Sequence, residues 1–236
     1  MKIFISGASS GLGLSLAKRF LHNGDIVWGT GRREFKIEDT GNENFRYSRC
    51  DTTQKEEVKN TFEDMVKKDF IPDVAVFCAG SAAEDIIEDK FFTNRFEENF
   101  KVNLFGVLYW VEFLLPLFLK RNKGILAAVS SMSIYVENHS KRIGYSASRI
   151  ALNKTFENLH LEYLNTGIHF KIFNMGRMKE TKDIIGTSYL KASASIIKNL
   201  KSGKHSNVFN IPYTQFLLTK AVSFIPEKIF RTYLRK

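Results

Sequence analysis

Short apolar runs rich in β-branched and aromatic residues alternate along the chain with longer stretches of helical periodicity, and no other feature constrains the fold as much. Such alternation builds strand and helix units whose helices cover both faces of a parallel sheet. The expected fold class is therefore α/β, a doubly wound parallel sheet of about seven strands flanked by helices. Strands are predicted at Lys2–Ser6, Ile26–Gly29, Phe45–Arg49, Val74–Cys78, Ile125–Ser130, His169–Phe173 and Val208–Ile211. Helices are predicted near Leu12–Asn23, Gln54–Lys67, Asn94–Lys120, Tyr145–Asn165 and Thr187–Leu200. No repeat, low-complexity tract or linker divides the chain, so residues 1–236 read as one domain.

A hydrophobic share of 44%, with 13% aromatics, is enough for a large core. No run approaches the roughly 18 uninterrupted apolar residues of a membrane span, and "MKIFISGASSGLG" enters strand-like sequence without a cleavable signal pattern. A cytoplasmic location is expected. Cys50 and Cys78 sit in or at the end of apolar runs and read as reduced core residues. The histidines, His22, His139, His160, His169 and His205, show no ligand spacing, so no metal is expected; His139 is set apart by its place near the presumed mouth of the site.

Net charge is +10, and its distribution is uneven. From Lys191 onward nine Lys and Arg face the single acid Glu227. The stretch "TQFLLTKAVSFIPEKIFRTYLRK" places Ile229, Phe230, Tyr233 and Leu234 on one helical stripe starting after Pro226, with Lys228, Arg231 and Arg235 largely away from it. Residues 204–236 thus form a basic amphipathic extension. Two readings stay open: docking on the protein's own core or a neighbouring subunit, and peripheral contact with an anionic membrane. Nucleic acid is not expected, because the charge is terminal and no aromatic-interleaved basic motif accompanies it.

"ISGASSGLGLSLAKRF" follows the first strand and opens a helix, the context in which a glycine pattern binds phosphate. Gly7 permits the tight turn, Gly11 lets a pyrophosphate approach the backbone, and Gly13 brings the helix close to the sheet. Ser9 and Ser10 offer hydroxyls, and the helix start at Leu12 offers N–H groups and positive potential.

The spacing Gly-x3-Gly-x-Gly resembles that of the short-chain dehydrogenase/reductase family, and the resemblance runs over roughly residues 2–181. It implies a Rossmann-like domain that transfers hydride between a nicotinamide cofactor and a carbonyl or alcohol. In that family the carboxylate that holds the adenosine ribose of NAD ends the second strand. "VWGTGRRE" has Gly31 there, then Arg32 and Arg33. A guanidinium pairs with a 2′-phosphate through a charge-assisted fork, so NADP(H) is favoured over NAD(H), with Arg32 as main contact. Asp51 and Thr52 of "RCDTTQ" match the adenine contact, and equally suit helix capping. Cys78, Ala79 and Gly80 of "VFCAG" match the asparagine-alanine-glycine motif, with cysteine replacing asparagine.

The same resemblance implies a catalytic set. Tyr145 of "YSASR" is the proton donor in reduction, Ser131 polarises the carbonyl with Ser133 as fallback, and Asn103 of "FKVNLFG" holds a relay water. Arg149 stands where the family has lysine; it keeps a cation and ribose clamp but cannot pass a proton onward. An alternative is an NADP-binding protein with impaired catalysis. The spacing from Ser131 to Tyr145 is one residue longer than usual, so the loop with Glu137, Asn138 and His139 is expected to hold an insertion. "FNMGRMKETKD" matches the proline-glycine turn, with Met175 for proline, Gly176 retained, Met178 facing the carboxamide, and Thr181 displaced by Glu180. Residues 182–190 match the substrate lid. A small carbonyl or alcohol substrate and a homodimer or homotetramer follow from the resemblance, the helices near 94–120 and 145–165 supplying the contact.

Overall fold

A computed structural model describes residues 1–35, 42–135, 141–179, 186–202 and 207–224. Seven strands form one fully parallel sheet: β1 (Lys2–Ser6), β2 (Ile26–Gly31), β3 (Phe45–Arg49), β4 (Val74–Phe77), β7 (Gly124–Ser131), β8 (Ile168–Met175) and β11 (Val208–Ile211), in the order β11-β8-β7-β4-β1-β2-β3. Each predicted strand is present with its ends within two residues. Two small ribbons were not expected: β5 (Ile86–Ile87) with β6 (Lys90–Phe91), and β9 (Met178–Lys179) with β10 (Thr187–Ser188).

Neighbouring strand residues face opposite layers, so the sheet divides two cores. Phe4 joins Trp28, Trp110, Phe118, Phe156 and Phe170 on one side, whereas Ile3 and Ile5 join Leu16, Phe20, Phe173 and Ile196 on the other. The second core lies under α1 (Gly11–His22) and α6 (Tyr189–Lys201), which also pack on each other. The first lies under α2 (Lys55–Lys67), α4 (Gly106–Arg121) and α5 (Ile143–Glu162). Burial on both faces is why central strands such as β1 and β4 read as continuous apolar runs.

The predicted helix 94–120 is in fact three pieces: α3 (Thr93–Phe100), one π turn over Lys101–Phe105, and α4. Together Thr93–Arg121 is long and apolar enough to cross a membrane by length and composition. Its Val107, Trp110, Leu114 and Phe118 are buried in the sheet-facing core, the disposition of a core helix. A further helix, α7 (Tyr213–Ser223), was not predicted; none of its residues is fully buried. The stripe from Ile229 to Leu234, with Lys228, Arg231 and Arg235, lies outside the described residues, as do Glu137, Asn138, His139, Glu180 and Thr181.

Strand order reverses at β1, which pairs with β2 on one side and β4 on the other. The loops leaving β1 and β4 therefore part at their carboxyl ends, and the crevice between them is where open α/β sheets take ligands.

Candidate active site

At that crevice a cleft of about 340 Å³ is lined by Gly7, Ser9, Ser10, Gly11, Leu12, Gly13, Arg32, Arg33, Asp51, Thr52, Cys78, Ala79 and Gly80, together with Ser6, Thr30, Gly31, Cys50 and Val102. Its volume lies within the usual range for small-molecule sites. Thirteen residues proposed from sequence for cofactor binding thus share one wall system. Gly7 has φ +75°, and a Cβ there would stand 2.6 Å from the Ala79 nitrogen; one at Gly13 would collide with the Gly7 carbonyl. Only hydrogen fits at either place, so the turn, α1 and the loop after β4 close on one another. Ser10 precedes α1 without capping it through its side chain, and no acid occupies the first turn. The positive end of the helix thus faces the cleft without a carboxylate to neutralise it.

Asp51 and Thr52 do local work at the cleft's edge. Asp51 Oδ1 accepts from the Thr53 N–H and hydroxyl, both at 2.9 Å, before α2, and Thr52 Oγ1 donates to the Gly106 carbonyl at 2.9 Å. Desolvation pushes the Cys78 thiol up to about 12, with the Arg149 cation acting in the opposite sense. Burial likewise pushes Cys50 up to about 11. Both cysteines are free, as expected.

Tyr145 and Arg149 lie one turn apart at the start of α5, with the Arg149 Cζ 5.3 Å from the Tyr145 ring centre. Arg149 is 6% exposed. Its Nη1 donates to the Val129 carbonyl at 2.9 Å, while its Nε is buried with no partner among the described residues. Its Nη2 occupies the space beside Gly80 that any side chain there would need. The cation therefore reaches the cleft wall from behind, held by the Val129 carbonyl.

Asn103 is fully buried in the π turn. Its Oδ1 accepts the Ser81 N–H at 2.8 Å, and its Nδ2 donates to the Ser81 carbonyl at 2.9 Å and Ser148 Oγ at 3.0 Å. The amide clamps the loop after Gly80 to α5, so it has no hydrogen left for a water. Ser131 ends β7, and its Oγ accepts the Ser133 N–H at 3.1 Å, leaving the hydroxyl proton to donate elsewhere. Ser130 and Ser133 keep buried hydroxyls without a partner among the described residues.

Three supporting residues carry no local sequence signal. Asp85, fully buried, accepts the Ile143 N–H at 2.8 Å and the Gly144 N–H, so it anchors the first turn of α5 immediately before Tyr145. Tyr135 donates to Asn210 Oδ1 and accepts from Asn174 Nδ2, each at 3.0 Å, tying the turn after Ser131 to the ends of β8 and β11. Gln215 of α7 accepts the Arg177 N–H at 3.0 Å and packs against Gly176. Met178 lies in β9, paired with Thr187.

Of residues 182–190, expected to form a lid, 182–185 lie outside the described residues, and Tyr189 and Leu190 open α6 and are tied to α1. Ser15 Oγ donates to the Tyr189 carbonyl at 3.1 Å, and Arg19 Nη2 to that of Leu190 at 3.2 Å. The Tyr189 ring lies over Gly11, 3.6 Å from where a Cβ would sit.

A family model described as short chain dehydrogenase matches residues 1–188. The chain belongs to the short-chain dehydrogenase family. It is accordingly an oxidoreductase with a nicotinamide cofactor and a small-molecule substrate. A short-chain relative, an uncharacterized oxidoreductase of Staphylococcus saprophyticus, is 30% identical over 179 residues, covering 73% of this chain and 76% of that one. Two solved structures share the fold. A closed serine dehydrogenase complexed with NADP+ superposes with a TM-score of 0.83 at 18% identity, covering 91% of this chain and 96% of its own. A short-chain dehydrogenase from Leptospira borgpetersenii with bound NAD+ gives 0.80 at 17%, covering 89% and 90%. One of these neighbours thus holds NADP+ and the other NAD+.

Proposed function

We propose that this chain, acting as one domain, is an NADP(H)-dependent reductase or dehydrogenase that interconverts a ketone or aldehyde with an alcohol. One arrangement carries the reading: Tyr145 and Arg149 share the first turns of α5, and Arg149 touches Gly80, which belongs to the same cleft as the glycine turn and Arg32. The residues suit the nucleotide, because the cradle at Gly7 and Gly13 would be filled by any Cβ and the Arg149 guanidinium lies beside Gly80 of the wall it would occupy.

The nicotinamide supplies or accepts the hydride. Ser9, Ser10 and the start of α1 would hold the pyrophosphate, Arg32 and Arg33 the 2′-phosphate, and Asp51 and Thr52 the adenine side. Ser131 donates its hydroxyl proton in a hydrogen bond to the substrate oxygen, and Tyr145 gives that oxygen its proton as the hydride reaches carbon. Arg149 stabilises the phenolate left behind and clamps the ribose. Since the Asn103 amide is committed to Ser81 and Ser148, its share in a water relay falls to the π-turn backbone. Gly176 and Met178 would hold the carboxamide side.

Titration with NADPH and NADH by fluorescence or calorimetry, then a carbonyl panel with wild type and Tyr145→Phe, tests this. Binding of neither nucleotide overturns it, and NADPH binding without Tyr145-dependent turnover overturns the assignment of Tyr145.

A second reading concerns where the enzyme works. The outer face of α7 leaves Tyr213, Leu217, Leu218 and Phe224 at 51–82% exposure, and the basic residues Lys228, Arg231, Arg235 and Lys236 follow in sequence. Apolar side chains beside cations suit an anionic bilayer surface. Sedimentation with anionic liposomes, before and after truncation at Pro226, tests it; unchanged binding removes the tail from the explanation.

A further inference from the structure

The turn after β2 carries Arg32 and Arg33, and β3 holds that turn from beneath. Tyr47 and Arg49 are alternate residues of β3, so their side chains leave the strand on the same side. Tyr47 Oη donates to the Arg33 carbonyl at 2.9 Å, and Arg49 Nε to the Arg32 carbonyl at 3.2 Å. Two strand side chains thus fix the backbone of both arginines while their exposed side chains line the cleft. The Tyr47 ring is itself fixed by Phe35 and Phe45, at 5.2 and 6.3 Å between centroids.

The same hydroxyl fills the space above Gly31. A Cβ at Gly31 would stand 2.6 Å from Tyr47 Oη and 3.0 Å from Ser9 Oγ. No carboxylate-bearing side chain fits at the end of β2 unless Tyr47 gives way. Burial raises the Tyr47 phenol above its ordinary value, so the group is a neutral hydrogen-bond donor at physiological pH.

We infer that Tyr47 is a specificity-determining positioning residue: through the Arg33 carbonyl and the volume above Gly31 it commits the cleft to a nucleotide with a phosphate on its adenosine ribose. The inference rests on the NADP(H) reading. Tyr47 does not itself line the cleft, and it acts by holding the arginine turn and by excluding the carboxylate.

Calorimetric titration of the full chain with NADPH and with NADH gives the test. Wild type is expected to prefer NADPH. Tyr47→Phe removes the hydroxyl's bonds to the Arg33 carbonyl and to Ser9, so about a five- to tenfold loss of NADPH affinity is expected, with NADH affinity changed less than about twofold. Gly31→Ala attacks the same contact from the other side with every residue of β3 left as it is, and is expected to reproduce the selectivity loss. The double variant should be no worse than the weaker single one, because both break one contact. Equal losses for both nucleotides, or an unchanged NADPH-to-NADH ratio in Tyr47→Phe, overturn the role of Tyr47. A wild type without preference for NADPH instead overturns the underlying cofactor reading, so the two failures are told apart by the first titration.

Discussion

Arg149 presents its guanidinium to the face of Tyr145, 5.3 Å from the ring centre, while donating to the Val129 carbonyl of β7. Strand, cation and phenol are therefore one unit, and the position usually held by lysine cannot be changed without disturbing both neighbours. Arg149→Met removes the charge and the hydrogen bond to the Val129 carbonyl. Turnover with NADPH is expected to fall about 100-fold or more, within the span seen when a proton-transfer group loses its support. Arg149→Lys keeps the charge but has one short head for the Val129 carbonyl and the ribose, so a loss of about tenfold is expected, roughly 1.4 kcal/mol. Cys78 lies in the loop that Arg149 backs, and Cys78→Asn combined with Arg149→Lys should recover part of it. Steady-state kinetics check this; a gain from Arg149→Lys alone would mean that arginine is a handicap.

Asp85 gives the next expectation. Its buried carboxylate satisfies the first N–H groups of α5 and sits at the positive helix end. Asp85→Ala leaves those groups without a partner, costing about 2–3 kcal/mol and lowering Tm by roughly 5–10 °C. Because Tyr145 follows Gly144 directly, kcat should fall more than the cofactor KM rises. Asp85→Asn retains one acceptor oxygen and should recover part of both effects. Thermal denaturation read beside kcat decides, and a loss of Tm with unchanged kcat would leave Asp85 a purely structural anchor.

The central strands were legible because they are buried on both faces, so Phe4 beside Ile3 and Ile5 leaves an unbroken apolar run in the text of the sequence. The glycine turn was legible because its parts are contiguous. Asp85 was not, since its partners lie 58 and 59 residues away with no periodicity to mark them. Tyr47 reads as an ordinary strand aromatic until the arginine turn is folded over it. Asn103 was found by its setting, but its commitment to Ser81 and Ser148 depends on a π turn that no helical pattern announces. α7 was missed because its exposed and covered faces do not sort by polarity: Leu217 and Leu218 point outward while Gln215 points in.

The two thiols set an alkaline limit on stability. Their folded values, about 11 for Cys50 and about 12 for Cys78, lie above the ordinary value of 9.0. A raised folded pKa means that the unfolded chain loses these protons first, so the stabilisation is complete below about pH 9 and is lost as pH rises toward 11–12. In that window each thiol should contribute a decline of about 1 kcal/mol per pH unit. Cys50→Ala combined with Cys78→Ala should flatten the profile above pH 9, measured by urea unfolding between pH 8 and 11. A wild-type profile no steeper than that of the double variant would contradict it.

α7 should show opposite behaviour on its two faces. Gln215 accepts the Arg177 N–H and rests on Gly176, whose own N–H donates to the Ile211 carbonyl at 2.8 Å. The turn after β8 is thereby clamped between β11 and α7, on the side proposed to meet the nicotinamide. Gln215→Ala breaks one hydrogen bond and opens space beside Gly176, so a loss of about 1 kcal/mol in stability is expected. The freed turn should raise the cofactor KM severalfold, because the backbone around Met178 is no longer fixed. Leu218→Ser, on the outer face at 66% exposure, should change stability by less than about 0.5 kcal/mol and leave KM unaltered. Equal effects from the two substitutions would mean that α7 acts on the site only through its general packing, and that the Gln215 contact does not hold the turn.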